Sequence, residues 1–136
     1  MMTCDGKFLN KDSGYSVVFD DDGRVAYAYL LNDCEAIVSD VWLYNRCVSP
    51  STPEWKDPEK IPYANPIEFV RICENFSPVK DISEVRVQWG SSDGGAVKVN
   101  IFIRDNLVAI LVDGEKPGRS ILAAKNGPLA KVMERS

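Results

Sequence analysis

The sequence predicts an α+β fold in which antiparallel β-strands dominate. About six strands in two three-stranded meanders are expected, with one short central helix and room for a helical turn near the C-terminus. Two observations carry this prediction: short segments in which apolar and polar residues alternate, and turn signals such as Asp22-Gly23 between them. At 136 residues the chain has the usual size of one domain, so residues 1–136 are expected to form a single domain.

The first meander is predicted to consist of strands at residues 15–19, 24–31 and 36–45, joined by turns at residues 20–23 and 32–35. The third of these strands carries apolar residues on both faces. Simple alternation puts Ile37, Val41 and Leu43 on one face, and Val38, Trp42 and Tyr44 on the other. Such a strand is either central between two layers or part of an interface.

Residues 47–66 form a proline-rich internal loop. With Trp55 and Tyr63 it suits recognition, because rigid amphipathic residues lose little entropy on binding. A loop that only packs over the sheet would have the same composition. Asn65-Pro66 is typical of a helix start, and apolar residues at helical spacing predict a short helix that runs toward Phe76.

The second meander is predicted at residues 84–89, 97–104 and 107–112, with turns at 90–95 and 105–106. After it, residues 120–124 suit either a last short strand or the start of a helix. Pro128 then stands at the first position of a predicted helical turn over residues 127–133.

The absence of histidine is the most informative feature of the composition. It removes the commonest general base and the commonest metal ligand. No motif supplies an alternative. Consecutive Asp20, Asp21 and Asp22 lack calcium-loop spacing and are typical of a polar hairpin turn, and the glycine-rich residues 90–95 precede a strand rather than a helix. We therefore expect no catalytic residue, metal or cofactor, and lean against an enzyme.

Charge and cysteine usage indicate the compartment and the class of partner. The formal net charge is −4, so neither nucleic acid nor a membrane surface is an expected partner, whereas a basic protein would be attracted. The sequence has no signal-peptide or membrane-spanning pattern, which predicts a cytoplasmic location and reduced thiols at Cys4, Cys34, Cys47 and Cys73. A homodimer through the third strand is a further prediction.

The aromatic residues are the candidate binding residues. Tyr27 and Tyr29 share a face of the second predicted strand, and Trp42 and Tyr44 are expected to share a face of the third. They form either core or an exposed binding patch; Trp55 and Tyr63 of the proline-rich loop complete the set of six.

Residues 17–29 and 41–45 carry a pattern of phenylalanine, an acidic triplet with glycine, and two tyrosines one residue apart. This pattern resembles a family of short bacterial proteins of unknown function. The resemblance covers mainly the N-terminal third and departs at Ala26, where that family usually has glycine. It implies a bacterial origin and a compact β-rich fold, and it brings no site with it.

These observations predict a non-enzymatic protein-binding module of the bacterial cytoplasm. An immunity-like role, in which a small acidic protein neutralises a toxin, is one concrete version. The alternative is a small-molecule-binding or enzymatic domain, with Asp20, Asp22 or Asp40 lining a pocket between the two meanders.

Overall fold

The computed structural model describes residues 3–72 and 76–133, which form two β-sheets. Sheet I has the order β1-β2-β3-β4 and sheet II the order β5-β6-β7-β8-β9. The strands of sheet I are β1 (Cys4–Leu9), β2 (Ser16–Asp21), β3 (Val25–Leu31) and β4 (Ile37–Asn45). Those of sheet II are β5 (Val85–Ser91), β6 (Val97–Ile103), β7 (Asn106–Val112), β8 (Arg119–Ser120) and β9 (Lys131–Val132). Neighbouring strands are antiparallel except for β8 and β9, which are parallel.

The prediction of a mostly antiparallel β protein is confirmed, and the six predicted strands correspond to β2 to β7. The α+β assignment with six strands is wrong, because the described residues form nine strands. Their only helical segments are three-residue 3-10 turns at Pro58–Lys60, Ile67–Phe69 and Ile82–Glu84.

The predicted central helix is reduced to the single 3-10 turn Ile67–Phe69. Two contacts with the C-terminal segment draw the chain out of helical geometry: Val70 forms an antiparallel bridge with Ala123, and the Arg71 N–H donates to the Leu122 carbonyl. β-branched Ile67 and Val70 favour this extended course. The rest of the predicted helix, at Cys73 and the two residues after it, lies outside the described residues.

The predicted C-terminal helical turn is also wrong, since Lys131–Val132 forms β9 beside β8. The chain before it follows β4, where the Trp42 N–H donates to the Leu129 carbonyl at 2.9 Å. Pairing with β8 and with the distant strand β4 overrides the local helix signal of Pro128.

Strand β1 was not predicted. Its sequence holds Gly6 between two charged residues, yet all six of its residues pair with β2. Gly6 is required here for space, because a Cβ at that position would lie 2.5 Å from the Ile82 side chain. A close approach between distant segments therefore explains a glycine that locally weakens the strand pattern.

The hydrophobic core is one cluster to which both sheets contribute, with β3 and β4 facing β7. Backbone bonds also join the sheets along the outer edge of β4. The Gly114 N–H donates to the Val38 carbonyl at 3.0 Å, and the Gly118 N–H to the Asp40 carbonyl at 2.6 Å. None of the helical segments in the described part of the chain has the length and hydropathy needed to cross a membrane.

Candidate functional site

Trp42 and Tyr44 lie on opposite faces of sheet I. Tyr44 pairs with Ala26 and Trp42 with Tyr27, so Leu43 has no partner residue on β3. This bulge breaks the in-and-out alternation of the β4 side chains, so Tyr44 points to the opposite face from Trp42. The prediction that Trp42 and Tyr44 share a face is therefore wrong, and the four aromatic residues do not form one contiguous surface.

Tyr44 faces the core and belongs to a buried polar cluster. Its hydroxyl donates to Asp21 Oδ2 at 2.6 Å, and Arg46 Nε donates to the same oxygen at 2.7 Å. The Val79 N–H donates to the Tyr44 hydroxyl at 3.2 Å, and Arg46 also reaches the Val79 carbonyl. Because Asp21 is fully buried and Tyr44 nearly so, we interpret this cluster as structural.

Tyr27 and Trp42 face away from sheet II but are buried beneath the proline-rich loop. The Tyr27 hydroxyl donates to the Tyr63 carbonyl at 2.6 Å, and Trp42 Nε1 donates to Asn45 Oδ1 at 2.8 Å. Asn45 in turn donates to the Asn65 carbonyl at 2.8 Å. The polar atoms of these rings thus fasten the loop to the sheet.

The loop itself is held by Arg24, whose guanidinium pairs with Glu54 at 2.5 Å and donates to the carbonyls of Lys60 and Pro62. Trp55 and Tyr63 are partly buried against the core, and Trp55 meets Phe69 edge to face with ring centroids 5.6 Å apart. The structure therefore places the loop as a packed cover over one end of sheet I, with both of its candidate aromatic residues inside the packing.

Tyr29 is the candidate residue that the loop leaves on the open part of this face. Its ring is half-buried and stacks on Tyr27, with centroids 6.0 Å apart and planes 11° apart. The strand register fixes its neighbours: Val18 of β2 lies on one side and Asp40 of β4 on the other. Of the six candidates, Tyr29 therefore has the environment of a surface contact residue.

Two further rows of side chains complete this open surface, which we call the acidic face. One row carries Asp5 and Asp20 beside Tyr27, and the other carries apolar Leu9, Leu31 and Ile37. Leu9 is 59% exposed and Ile37 is 47% exposed. The acidic face is thus defined by Asp5, Leu9, Val18, Asp20, Tyr29, Leu31, Ile37 and Asp40.

The carboxylates of the acidic face are poorly compensated. Partial burial raises the pKa of Asp20, and the carboxylates of Asp22 and Asp5 raise it further. None of the six ion pairs between described residues includes Asp5, Asp20 or Asp40. Lys7 stands beside Val18 on β1, but its ammonium pairs with Glu35 at 2.8 Å.

Asp40 and Tyr29 also lie where burial disfavours a negative charge. Burial raises the pKa of Asp40, and the nearby Lys116 ammonium lowers it in part. Burial and then the charges of Asp20 and Asp40 raise the pKa of Tyr29 to about 12, so its hydroxyl stays neutral at physiological pH. The face combines a neutral phenol with crowded carboxylates, which is an environment that a cation stabilises.

The carboxylates named for a pocket between the two meanders lie elsewhere in the structure. Asp20 and Asp40 lie on the outer face of sheet I, away from sheet II, and Asp22 lies in the turn after β2. A cleft of about 190 Å³ does lie beside β4, but its lining includes Trp42, Phe76 and Arg71 and none of these carboxylates. In the described part of the chain, no three side chains of the metal-binding types converge on one point.

The sequence did not indicate Asp5, Leu9 and Ile37 as parts of the face. Asp5 and Leu9 belong to the unpredicted β1, and Ile37 was assigned to the face of Val41. A second bulge at Val38, between the pairs of Leu30 and Leu31, changes that assignment. Strand β1 carried one usable signal in its sequence: charged Asp5 and Lys7 alternate with uncharged Cys4, Gly6 and Phe8.

Comparison with family models, with curated proteins and with solved structures returned no match to this chain. The family resemblance of the N-terminal third therefore stays a prediction.

Proposed function

We propose that this chain is a non-enzymatic protein-binding module that holds a basic partner on its acidic face. The single observation that carries the proposal is the crowding of Asp20, whose pKa is raised by burial and by the carboxylates of Asp22 and Asp5, next to Tyr29 and exposed Leu9. A lysine or arginine placed among these carboxylates would relieve their mutual repulsion.

The apolar part of the face supports a protein as the partner. Leu9 and Ile37 offer exposed aliphatic surface beside the charges, and the half-buried Tyr29 ring offers area at low cost in side-chain entropy. A simple cation would make no use of this row. An apolar row beside a charged row matches the mixed composition of protein interfaces.

A specific version of the proposal is an immunity-like role in the bacterial cytoplasm, in which the acidic face covers a basic patch of a toxin. The net charge of −4 supports it, because opposite charges accelerate association and increase its dependence on salt. The absence of histidine fits a protein that binds without catalysing a reaction.

The test is capture of a partner from the native host with the tagged protein, followed by affinity measurement with two matched double variants. Asp20→Asn with Asp40→Asn removes two charges from the acidic face. Asp12→Asn with Asp93→Asn removes the same charge at exposed positions elsewhere. We expect the first pair to weaken binding about tenfold and the second to change it less than about twofold.

The dependence on pH gives an independent check. Because the pKa values of Asp20 and Asp40 are raised, their charges are lost at a higher pH than those of ordinary aspartates. Binding should weaken as the pH falls through that acid range, and Asp20→Asn with Asp40→Asn should flatten the dependence. Equal weakening by both double variants would instead indicate a general charge effect and would refute the assignment to this face.

A further inference from the structure

Strand β5 is the first strand of sheet II and has β6 on one side only. The register of the β5–β6 pair shows which backbone groups face outward. The Ser92 N–H donates to the Ala96 carbonyl and the Arg104 N–H to the Glu84 carbonyl, so even-numbered residues of β5 bond to β6. The N–H and carbonyl groups of Val87, Trp89 and Ser91 therefore point to the free edge.

This edge lacks the features that usually prevent strand pairing. The β5–β6 register runs from Val85 to Ser91 without a shift, so the strand is not bulged. It contains no proline, and its single charged residue is Arg86. The N–H of Val85 is bonded to the Ile82 carbonyl, but none of the other outward groups bonds to a described residue.

The β4 edge of sheet I is already occupied by other segments of the chain. Gly114, Gly118 and Leu129 bond to the outer edge of β4, and both faces of β4 are covered around Trp42 and Tyr44. A homodimer through the third predicted strand would have to displace these contacts. A second copy finds unpaired backbone on β5.

The side chains of β5 are complementary to themselves. In the antiparallel register that overlaps all seven residues, the two-fold axis passes through Gln88. Val87 then lies opposite Trp89 of the second copy, Arg86 lies opposite Gly90, and Gln88 lies opposite its own counterpart. The half-buried Val87 and Trp89 would be covered, and the two Arg86 side chains would stand about 13 Å apart along the strands.

We propose that two copies of this chain associate by antiparallel pairing of β5 with β5, so that the two sheets II become one continuous sheet. The odd-numbered pairs are the hydrogen-bonded ones in this register. Because the N–H of Val85 is already bonded to Ile82, about six backbone hydrogen bonds would join the two β5 strands. A small, edge-to-edge interface of this kind predicts a dissociation constant between micromolar and millimolar.

The test is sedimentation over that concentration range with substitutions at the axis. Gln88 is exposed, so Gln88→Lys leaves the isolated chain folded but places two ammonium groups opposite each other. The expected result is dimerisation on the order of tenfold weaker than in the wild type. Thr52→Lys adds the same charge at an exposed position of the proline-rich loop and should leave dimerisation unchanged.

A charge-complementation experiment tests whether the two Gln88 positions lie opposite each other, as this register requires. Gln88→Glu alone should also weaken dimerisation, whereas an equimolar mixture of the Gln88→Lys and Gln88→Glu chains should associate at least as tightly as the wild type. Circular dichroism of each chain at low concentration verifies folding. A wild type that stays monomeric at millimolar concentration, or a mixture that does not associate, would overturn the proposal.

Discussion

Tyr44→Phe and Tyr29→Phe are a matched pair of substitutions that tests the opposite placement of these two tyrosines. Each removes one hydroxyl oxygen and leaves a phenyl ring. Tyr44 is buried in the cluster with Asp21, whereas the Tyr29 hydroxyl forms no hydrogen bond with a described residue. We expect a large loss of stability from the first substitution and almost none from the second.

The magnitude for Tyr44→Phe follows from two lost hydrogen bonds. The bond from its hydroxyl to the Asp21 carboxylate, at 2.6 Å, is of the charged kind that contributes about 1.5–3 kcal/mol. The buried Val79 N–H loses its acceptor at 3.2 Å, which costs about 1 kcal/mol more. Asp21 keeps its bonds from Arg46 and from the Gly23 N–H. The sum is about 3 kcal/mol.

The assay is equilibrium unfolding in urea, followed by tryptophan fluorescence. With a slope of about 2 kcal/mol per molar urea, Tyr44→Phe should lower the midpoint by about 1.5 M at unchanged slope. Tyr29→Phe should change the free energy of unfolding by less than about 0.5 kcal/mol.

Similar shifts for the two variants would refute the reasoning. They would mean that the bulge at Leu43 does not separate the faces as described, and that Tyr44 and Tyr29 share one kind of environment. A large loss for Tyr29→Phe alone would place the buried cluster on the other side of sheet I.

Two further predictions concern Asp40 of the acidic face and Arg24, which holds the proline-rich loop. Asp40 has a raised folded-state pKa, so its contribution to stability falls as the pH rises from the ordinary value of 3.8 through the folded value. Asp40→Asn removes this titration, so the variant should be more stable than the wild type at pH 7 and should lose less stability between acid and neutral pH. Thermal unfolding across that pH range checks it, and a variant less stable than the wild type at pH 7 would contradict it. Arg24→Gln should loosen the proline-rich loop, because it removes the pairing with Glu54 and the bonds to Lys60 and Pro62. Trypsin should then cleave the variant at Lys56 or Lys60 well before global unfolding. Cleavage at the wild-type rate would show that Arg24 does not hold the loop.

The strands that were predicted correctly are those whose evidence is local. Alternation between the turn at Asp22-Gly23 and the turn at residues 32–35 defines β3 without reference to other segments. The missed elements have weak patterns of their own and depend on pairing with a partner strand. Cys4–Leu9 becomes a strand through pairing with β2, and Lys131–Val132 through pairing with β8. Local propensity contains neither pairing.

The site was harder to predict than the fold because bulges decide it. Sequence alternation assumes an uninterrupted strand, and β4 is interrupted opposite Ala26/Tyr27 and opposite Leu30/Leu31. One interruption moves Tyr44 into the core, and the other brings Ile37 to the acidic face. No propensity of Val38 or Leu43 indicates a bulge, because the geometry of the partner strand determines where the extra residue goes.

The aspartate triplet connects the core to the acidic face. Asp21 points inward to Tyr44 and Arg46, Asp20 points outward to the acidic face, and Asp22 Oδ1 accepts the N–H groups of Arg24 and Val25 in the turn. A slip of β2 by one residue would exchange the buried and the outward carboxylate. The buried cluster therefore resists such a slip by several kcal/mol, since Arg46 would lose its counter-ion. In this way three identical neighbours acquire three different roles, and the residue that stabilises the core also fixes which carboxylate the acidic face presents.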